Sequence, residues 1–451
     1  MAAIAKLAQE SGWQVTGSDA GIYPPMSDYL VGLGITIAPF STKNLEPTPD
    51  LCVIGNAMSR GNVEVEAILN QGLAYCSGPE FVGQHILPKR HAVVVAGTHG
   101  KTTTTSLIAH ILEQAGQQPG FLIGGIPENF AGGARLGRGT PFVLEGDEYD
   151  TAFFDKRSKF LHYHARTLIL NNLEYDHADI FPDLAAIQRQ FAHLLRTVPS
   201  DGNIILNADD PNFPDVLKQG CWTPMTTFAC HPHPSADWQW QSLKADGSTF
   251  QLYHHGQPVI AAAWSMIGLH NVANACAAAA TAHLMGVDMP TIASAFGSFA
   301  GVRRRMTLIG KSHDIRIFDD FAHHPTAIAG MVSAAKASMQ SCGKLWVILE
   351  PRSNTMRSTI HQDRLPHCFD AADQVIFTPP SHRNLADDAI LDVAAICRTI
   401  GETKAQVIDT TDAIIEYVAT HAQHGDDVLI LSNGGFENIH QRLLNTLKER
   451  S

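Results

Sequence analysis

The chain has 451 residues, 45% of them hydrophobic, and a formal net charge of −12, which suits a globular protein of roughly two to four domains. The acidic balance, with no basic run beyond 303–305, argues against nucleic-acid partners, and the lack of a long apolar stretch argues against a membrane span or secretion signal. Eight scattered cysteines without a Cys-x-x-Cys pair indicate a reducing cytoplasm rather than a disulfide framework or a zinc site.

Short apolar runs, each followed by a turn and a helical pattern, recur along the chain. They lie at residues 51–54, 93–96, 142–144, 168–170, 345–349, 375–377 and 428–431. This alternation predicts an α/β fold with mostly parallel sheets and crossover helices, in which ligands bind at the carboxyl ends of the strands. We predict three domains, at residues 1–87, 88–311 and 312–451.

Three further segments predict structure without chemistry. Apolar residues at a period of 3.6 predict a core helix over 184–198, and the alanine-rich run 272–287 predicts a buried helix. Residues 238–253 read as a β-rich insertion, with Asp246-Gly247 as a turn of the hairpin type.

Residues 93–105 combine a buried strand, a glycine turn and the start of a helix. Glycines let backbone N–H groups close on phosphate, and a helix N-terminus favours an anion. Lys101 supplies a charge for the outer phosphates, and the Thr102 hydroxyl is placed for Mg²⁺. Only two residues separate the glycines, so we predict a short phosphate loop that binds a nucleoside triphosphate through Gly97, Thr98, His99, Gly100, Lys101, Thr102 and Thr103. An ordinary strand-to-helix turn is the alternative.

An acidic run, 145–150, follows the apolar strand 142–144. A solvated charged surface is one interpretation of such a run. Because Glu145 comes directly after a strand of the domain that holds the phosphate loop, its carboxylate could complete a Mg²⁺ shell begun by Thr102.

Polar residues 171–179 likewise follow the strand 168–170. His177, beside Asp176, is a candidate ligand for a second metal that would neutralise charge during phosphoryl transfer. A capping or packing role for His177 is the alternative.

Two segments further along the chain could contact the nucleotide. Asn271 and Asn274 are three residues apart and share one helical face, where their amides could read an adenine edge or cap the helix. The arginines at 303–305 could reach phosphate or be solvated. In the run 319–325 we favour Asp320 as a nucleotide residue over a metal cluster, because adjacent histidines on one loop rarely bind the same ion.

Together and in order, these motifs resemble those of the Mur ligases, the ATP-dependent amide-forming enzymes of peptidoglycan synthesis. The resemblance rests on residues 97–105, 145–150, 171–179, 270–274, 301–305 and 319–326. It implies Rossmann-like N-terminal and C-terminal domains around a central P-loop ATPase domain, with ATP and Mg²⁺ as cofactors. It also implies that Lys101, Glu145 and His177 are catalytic, that Thr102, Glu145 and His177 bind metal, and that the nucleotide contacts Asn271, Asn274, Arg305 and Asp320. Arg305 is preferred to Arg304 by alignment to the motif alone.

Residues 55–62, 154–159, 350–356 and 432–436 resemble the branch of the family that joins UDP-N-acetylmuramate to the tripeptide L-alanyl-γ-D-glutamyl-meso-diaminopimelate in peptidoglycan recycling. The resemblance assigns the UDP sugar to Ser18, Asp19, Asn129 and Arg135, and the tripeptide to Arg352, Ser353, Asn354 and Asn433. A ligase that adds L-alanine is the alternative within the family. A P-loop transport or signalling ATPase is the alternative outside it, and the absence of a Gly-x-Gly-x-x-Gly motif disfavours a dinucleotide oxidoreductase.

Two departures from the family pattern refine these expectations. Several members carry a carbamylated lysine after the Asp-His motif, but no lysine lies between Lys159 and Lys218. We therefore predict no carbamylated lysine in this chain, as in the muramate–alanine branch. The family also begins with a strand and a glycine loop that approach the UDP diphosphate, whereas Met1 stands where the following helix should start. We therefore expect a late start that leaves the first sheet without its central strand.

Overall fold

The computed structural model describes residues 1–22, 26–178, 180–340, 342–382 and 389–450. Asp179, the last residue of the 171–179 motif, lies outside the described residues. The chain forms two compact units. The first comprises Met1–Glu174, Ala185–Phe228 and Ala277–Ala295, and the second comprises Tyr175–Leu184, Ala229–Cys276 and Phe296–Ser451.

The α-helices of the described residues are α1 (Ala2–Glu10), α2 (Met26–Gly32), α3 (Val63–Gln71), α4 (Gly78–Phe81), α5 (Lys101–Gln114), α6 (Leu184–Leu195), α7 (Phe213–Leu217), α8 (Leu269–Leu284), α9 (Met289–Ser298), α10 (Pro325–Ser338), α11 (Val393–Ile400), α12 (Thr411–His421) and α13 (Ile439–Lys448). Within the described ranges, no helix combines the length and the apolar character needed to cross a membrane.

The N-terminal part of the first unit contains two short pairs of parallel strands. The pairs are β1 (Thr16–Ser18) with β2 (Thr36–Ala38), and β3 (Cys52–Ile54) with β4 (Tyr75–Ser77). α3 begins after Asn62, whose side chain accepts hydrogen bonds from two backbone N–H groups of the first turn. In the part of the chain that the structure describes, the two pairs are separate sheets with no central strand between them.

A larger sheet forms the core of the first unit. Its strands are β5 (His91–Ala96), β6 (Gly120–Leu122), β7 (Ala134–Arg135), β8 (Pro141–Gly146), β11 (Thr167–Leu170), β12 (Asn203–Asn207) and β13 (Met225–Cys230), in the order β13-β12-β11-β5-β8-β6-β7. All neighbouring pairs are parallel except β6–β7. β9 (Asp150–Ala152) and β10 (Asp155–Ser158) form a separate antiparallel pair. β5 is central, so the loops that follow β5, β8 and β11 meet at one edge of the sheet.

The second unit has two β structures. One is an antiparallel meander of β14 (Trp238–Ser242), β15 (Thr249–His254) and β16 (Gln257–Ala263). The other is a six-stranded sheet of β17 (Thr307–Ser312), β18 (Ile315–Asp320), β19 (Leu345–Leu349), β20 (Gln374–Phe377), β21 (Ala405–Val407) and β22 (Asp427–Leu431), in the order β17-β18-β22-β19-β20-β21. Only β17 runs antiparallel in this sheet. Asp320, Glu350 and Ser432 therefore stand at one edge, at or just after the carboxyl ends of β18, β19 and β22.

Each predicted apolar run forms a strand, which confirms the mixed α/β fold with mostly parallel sheets. The predicted helix 184–198 ends earlier, at Leu195, because the next backbone N–H groups bond to carbonyls three residues back and Pro199 follows. The alanine-rich helix is buried as predicted, and it ends before Gly286, which adopts a left-handed φ of 84°.

The predicted turn at Asp246-Gly247 is part of a longer connection. β14 ends at Ser242 and β15 begins at Thr249, so residues 243–248 form the loop rather than two residues alone. The Asp246 carboxylate accepts hydrogen bonds from the backbone N–H and the hydroxyl of Ser248. This local bond stabilises a turn inside the loop, so the Asp-Gly pair marks the turn but not its length.

Candidate active site

The phosphate loop runs from the end of β5 to the start of α5 in the first unit. Gly97 and Gly100 have φ values of 145° and 79°, a region that favours glycine. A Cβ on Gly97 would lie 2.9 Å from the Asn172 carbonyl oxygen. That carbonyl accepts a hydrogen bond from the Thr98 N–H at 3.1 Å, and the Asn172 side chain accepts one from the His99 N–H at 2.7 Å. The residues after β11 therefore hold the loop in shape.

The first turns of α5 are also fixed from β11. Asn171 is buried, and its Nδ2 donates a hydrogen bond to Thr104 Oγ1 at 2.9 Å. Thr103, in the first turn of the helix, is also buried. The backbone N–H groups at this helix start consequently have a defined direction, which a phosphate-binding helix N-terminus requires.

Lys101 is held among carboxylates. Its Nζ donates to the Gly97 carbonyl oxygen at 2.7 Å and to Glu148 Oε2 at 3.2 Å, and it lies 3.8 Å from Asp147 Oδ1. Burial lowers the pKa of Lys101, but the negative charges of Glu148, Asp147 and Glu145 outweigh that effect and leave the pKa raised. Lys101 is therefore a fixed positive charge at the mouth of the phosphate loop.

Thr102 and Glu145 meet beside the loop, as the sequence predicted. Thr102 Oγ1 donates to Glu145 Oε2 at 3.1 Å, and the Gly124 N–H donates to Glu145 Oε1 at 2.7 Å. Withdrawal from water, reinforced by the charge of Asp147, raises the pKa of Glu145. A hydroxyl and a carboxylate with little water around them are oxygen donors of the kind that Mg²⁺ binds.

His177 belongs to the second unit. Its backbone N–H donates to Asp176 Oδ1 at 2.7 Å, and its ring Nδ1 lies 3.8 Å from the same oxygen. Asp176 is buried and His177 is partly buried, and His177 has a left-handed φ of 58°. The side chain thus stands beside a carboxylate on a strained backbone, an arrangement that needs outside support.

The second unit also contains the two predicted asparagines on the first turns of α8. Asn271 Nδ2 donates to the Ile267 carbonyl oxygen at 2.7 Å, and Asn274 Nδ2 donates to Asn271 Oδ1 at 3.2 Å. Both side chains are buried. The pair shares one face, as predicted, and Asn271 also satisfies a carbonyl just before the helix.

The structure distinguishes Arg304 from Arg305. Arg304 Nε donates to Asp319 Oδ2 at 3.1 Å and its Nη2 donates to the Ser432 carbonyl oxygen at 2.6 Å. Arg305, like Arg304, lies over the Phe321 ring at 5.3 Å, and its positive charge acts on Asp320. Arg304 therefore has a structural role, and Arg305 is the arginine near Asp320.

Asp320 is almost fully buried at the end of β18. Its carboxylate accepts hydrogen bonds from the Met306 N–H at 2.7 Å and the Ala322 N–H at 2.8 Å. Burial raises the pKa of Asp320, and the positive charge of Arg305 opposes that rise. The second unit thus brings Arg305 and Asp320 together.

The residues predicted for the peptide lie near the carboxyl ends of β19 and β22. Ser432 Oγ donates to Glu350 Oε2 at 2.5 Å, and Arg352 Nη1 lies 3.6 Å from Glu350 Oε1. The Arg352 side chain covers Gly434 so closely that a Cβ there would be 2.5 Å from its guanidinium. Asn433 Oδ1 is buried and accepts no hydrogen bond from any residue that the structure describes. This cluster therefore offers a guanidinium, a carboxylate and a buried acceptor.

Ser353 and Asn354 serve the backbone and a neighbouring arginine. Ser353 Oγ accepts from the Met356 N–H at 3.2 Å, and Asn354 Oδ1 accepts from Arg357 Nη2 at 2.6 Å. Arg357 is buried and also donates to the Ser381 carbonyl oxygen. Asn354 is exposed, so its position depends on Arg357.

The residues predicted for the UDP sugar are dispersed in the first unit. Ser18 Oγ accepts from Asn44 Nδ2 at 3.1 Å, and Asp19 Oδ1 accepts from the Gly21 N–H at 2.9 Å. Asn129 lies in the turn between β6 and β7.

Arg135, the fourth residue predicted for the UDP sugar, lies in β7 of the first unit. Its guanidinium pairs with Glu113 at 2.5 Å and lies over the rings of Phe121 and Phe130. Glu113 is in the last turn of α5 and Lys101 is its first residue, so about 18 Å of helix separates them at 1.5 Å per residue.

Sequence reasoning missed Glu148, Glu350 and Arg357. Glu148 was in the acidic run, but only its burial and its contact with Lys101 distinguish it from the other acidic residues. Glu350 directly follows β19, and this position at a strand end is the signal that could have identified it. Arg357 had no signal in the sequence.

Comparisons with known proteins agree along the whole chain. Three family models match it: "Mur ligase family, catalytic domain" over residues 1–90, "Mur ligase middle domain" over 95–282 and "Mur ligase, glutamate ligase domain" over 304–434. The chain is 45% identical over 452 residues to the UDP-N-acetylmuramate–L-alanyl-γ-D-glutamyl-meso-2,6-diaminoheptandioate ligase of Escherichia coli, covering 100% of this chain and 96% of that protein.

A solved murein peptide ligase from Psychrobacter arcticus is also 45% identical, with a TM-score of 0.75, covering 100% of this chain and 97% of that one. The identity is lower, 29% over 451 residues, to the UDP-N-acetylmuramate–L-alanine ligase of Lachnospira eligens, which covers 98% of this chain and 95% of that protein.

Proposed function

Because the chain belongs to the Mur ligase family, we propose that it joins UDP-N-acetylmuramate to the tripeptide L-alanyl-γ-D-glutamyl-meso-diaminopimelate at the expense of ATP. The observation that carries this choice is the 45% identity, over essentially the full length of both chains, to a ligase named for that tripeptide. Identity to the L-alanine ligase is 29% over a similar length. The function is therefore that of a peptide ligase of peptidoglycan recycling, and addition of free L-alanine is the disfavoured alternative.

The reaction has two balanced steps. The muramyl carboxylate attacks the γ-phosphorus of ATP, which releases ADP and leaves an acyl phosphate. The free α-amine of the tripeptide then attacks the acyl carbon, loses a proton and expels inorganic phosphate as the amide forms. Lys101 holds the phosphate oxygens, since its ammonium is fixed at the mouth of the phosphate loop.

The donor set fits Mg²⁺. Thr102 Oγ1 and Glu145 Oε2 lie 3.1 Å apart and would hold one ion. The ion would balance the negative charge of the Glu145 carboxylate, whose pKa is raised by its withdrawal from water. We assign a second ion to His177, which is in the second unit. Bound Mg²⁺ supplies neutralisation of the negative charge on the phosphoryl oxygens.

In the second unit, Asn271, Asn274, Arg305 and Asp320 provide the remaining nucleotide contacts. Asp320 is positioned by two backbone N–H groups, so its carboxylate can accept hydrogen bonds from ribose hydroxyls without moving. Arg305 lies on an aromatic ring near this carboxylate, which leaves its guanidinium suited to phosphate.

The peptide cluster suits the diaminopimelate end of the tripeptide, which carries both a carboxylate and an amine. Arg352 recognises the carboxylate, and Asn433 Oδ1 accepts a hydrogen bond from the ammonium. Glu350 orients Arg352 and adds negative charge for the same ammonium. Free L-alanine lacks this second charged centre.

Domain boundaries and location complete the proposal. The domains are 1–87 for the UDP sugar, 88–311 for ATP and 312–451 for the peptide, and the family matches over 1–90, 95–282 and 304–434 support these limits. Ser18 and Asp19 of the first domain, with Asn129 and Arg135 of the second, are the proposed contacts of the UDP sugar. All eight cysteines are free thiols, as expected for a protein of the reducing cytoplasm.

The test is formation of ADP by the purified protein with Mg²⁺, UDP-N-acetylmuramate and the tripeptide. We expect ADP only when all components are present. ADP formation that does not depend on UDP-N-acetylmuramate would instead favour a transport or signalling ATPase.

A further inference from the structure

The segment that carries His177 needs support from outside itself. Tyr175–Leu184 follows the sheet of the first unit in the chain, but belongs to the second compact unit. The φ of His177 is 58°, a left-handed conformation that a residue with a side chain rarely adopts. Within the segment, the N–H groups of Ile180 and Phe181 donate to the His177 carbonyl oxygen. The His177 N–H donates to Asp176 Oδ1 within the same segment, and these local bonds do not by themselves fix where the segment lies.

One outside contact comes from His324, which precedes α10. The Thr326 N–H donates to His324 Nδ1 at 3.4 Å, so this nitrogen is the unprotonated one. The proton is then on Nε2, which donates to the Tyr175 carbonyl oxygen at 3.3 Å. The His324 side chain is 1% exposed and packs edge-on against the His361 ring at 4.9 Å. A rigid, buried donor therefore fixes the backbone two residues before His177.

A second contact comes from Thr355. The Ala178 N–H donates to Thr355 Oγ1 at 3.4 Å. Thr355 is buried, and its carbonyl oxygen accepts hydrogen bonds from the backbone and hydroxyl of Ser358, which hold it in place. It thus fixes the backbone immediately after His177, and it directly follows the peptide residues 352–354.

We infer that His324 and Thr355 are positioning residues that aim the His177 ring at its divalent cation. This inference rests on the proposed function, which makes His177 a metal ligand. Neither residue contacts the cation, because both act through the backbone on either side of His177. Partners that orient a metal ligand typically change metal affinity by about 10- to 100-fold when they are lost. Thr355 directly follows residues 352–354, which are proposed to bind the peptide. The short stretch 352–355 would therefore both bind the peptide and position the metal ligand.

Paired substitutions separate positioning from stability. His324→Asn keeps an acceptor for the Thr326 N–H but is too short to reach the Tyr175 carbonyl. His324→Gln reaches that carbonyl with its amide N–H but lacks the helix cap. Thr355→Val removes the hydroxyl at constant shape, and Thr355→Ser keeps it. His367→Asn and Thr359→Ala, both at exposed positions of the same unit, are the matched controls.

The first readout is Mn²⁺ binding, titrated by electron paramagnetic resonance in the presence of a non-hydrolysable ATP analogue, with thermal melting recorded for each variant. We expect His324→Asn and Thr355→Val to weaken binding of one Mn²⁺ about tenfold, and His324→Gln, Thr355→Ser and the controls to stay within about twofold of wild type. Equal Mn²⁺ binding in all variants would overturn the inference. Loss of Mn²⁺ binding that follows melting temperature, regardless of the retained hydrogen bond, would overturn it as well.

Turnover and His177→Ala distinguish this inference from the proposed function. In one outcome, the wild type makes no ADP with UDP-N-acetylmuramate and tripeptide, but His177→Ala, His324→Asn and Thr355→Val each bind one Mn²⁺ fewer than the wild type. The proposed function then fails and the positioning role stands. If the wild type forms ADP with both substrates, and His324→Asn and Thr355→Val bind Mn²⁺ as the wild type does, the positioning role alone fails.

Discussion

The contact between Lys101 and Glu148 can be altered by substitutions that should change the stability of the protein and its catalytic rate separately. The Lys101 Nζ lies 3.2 Å from Glu148 Oε2, and their side chains are 12% and 2% exposed. Lys101→Met removes the ammonium that pairs with the buried Glu148 carboxylate, and breaking a buried pair in this way costs about 3–5 kcal/mol of unfolding free energy. Adding Glu148→Gln removes the uncompensated charge, so we expect most of that loss to return in the double variant.

Catalysis should not return with stability. Loss of one fixed electrostatic donor to a developing charge lowers kcat by about 10²–10³-fold, and a neutral glutamine at 148 does not replace the ammonium of Lys101. We therefore expect the double variant to melt close to wild type and to make ADP at least about a hundredfold more slowly. Lys156→Met is the control, since Lys156 pairs with Asp150 at the surface and contributes at most about 1 kcal/mol.

The assay combines differential scanning fluorimetry with a coupled measurement of ADP release under saturating substrates. A double variant with restored melting and near wild-type ADP release would refute the assignment of Lys101 to the phosphates. A double variant that melts as low as Lys101→Met would refute the description of the pair as a buried charge that needs compensation.

Three further predictions test other parts of the site. Arg305→Ala should raise the KM for ATP with unchanged melting, whereas Arg304→Ala should lower the melting temperature because it removes the guanidinium bound to buried Asp319; the opposite pattern in initial-rate and melting experiments would reverse the two roles. Asn433→Ala should raise the KM for the tripeptide at least about tenfold, the value of one hydrogen bond to a charged group, and an equal rise in the KM for ATP would contradict a peptide role. Burial lowers the pKa of His361 to about 4 from 6.5, so the unfolded chain binds the proton more readily and stability falls as pH drops from 6.5 towards 4. In His361→Phe the melting temperature should fall less between pH 7 and pH 4.5 than in the wild type. An equal fall in both proteins would contradict this role of His361.

The parallel strands and the phosphate loop could be predicted because local sequence determines them. The run before Gly97 is apolar and β-branched, and its burial in β5 leaves few other structures for it. The meeting of Thr102 and Glu145 followed from the same logic, since Thr102 begins the helix that follows β5 and Glu145 stands at the carboxyl end of the neighbouring parallel strand β8.

Other features depend on contacts that no local pattern encodes. Arg304 and Arg305 are adjacent and identical in type, and only the buried carboxylate of Asp319 separates their roles. Glu148 differs from its acidic neighbours by burial against Lys101, which lies 47 residues away in the chain. The hydrogen bonds of His324 and Thr355 to the backbone on either side of His177 also arise from tertiary packing, so sequence reasoning could not predict them.

The central claim is that the chain transfers the muramyl group to the tripeptide. Its most direct test offers equal concentrations of the tripeptide and L-alanine to the purified protein with ATP, Mg²⁺ and UDP-N-acetylmuramate, and identifies the UDP-linked product by mass spectrometry. We predict the UDP-N-acetylmuramyl tripeptide as the dominant product, formed together with ADP. UDP-N-acetylmuramyl-L-alanine as the sole product would contradict the account.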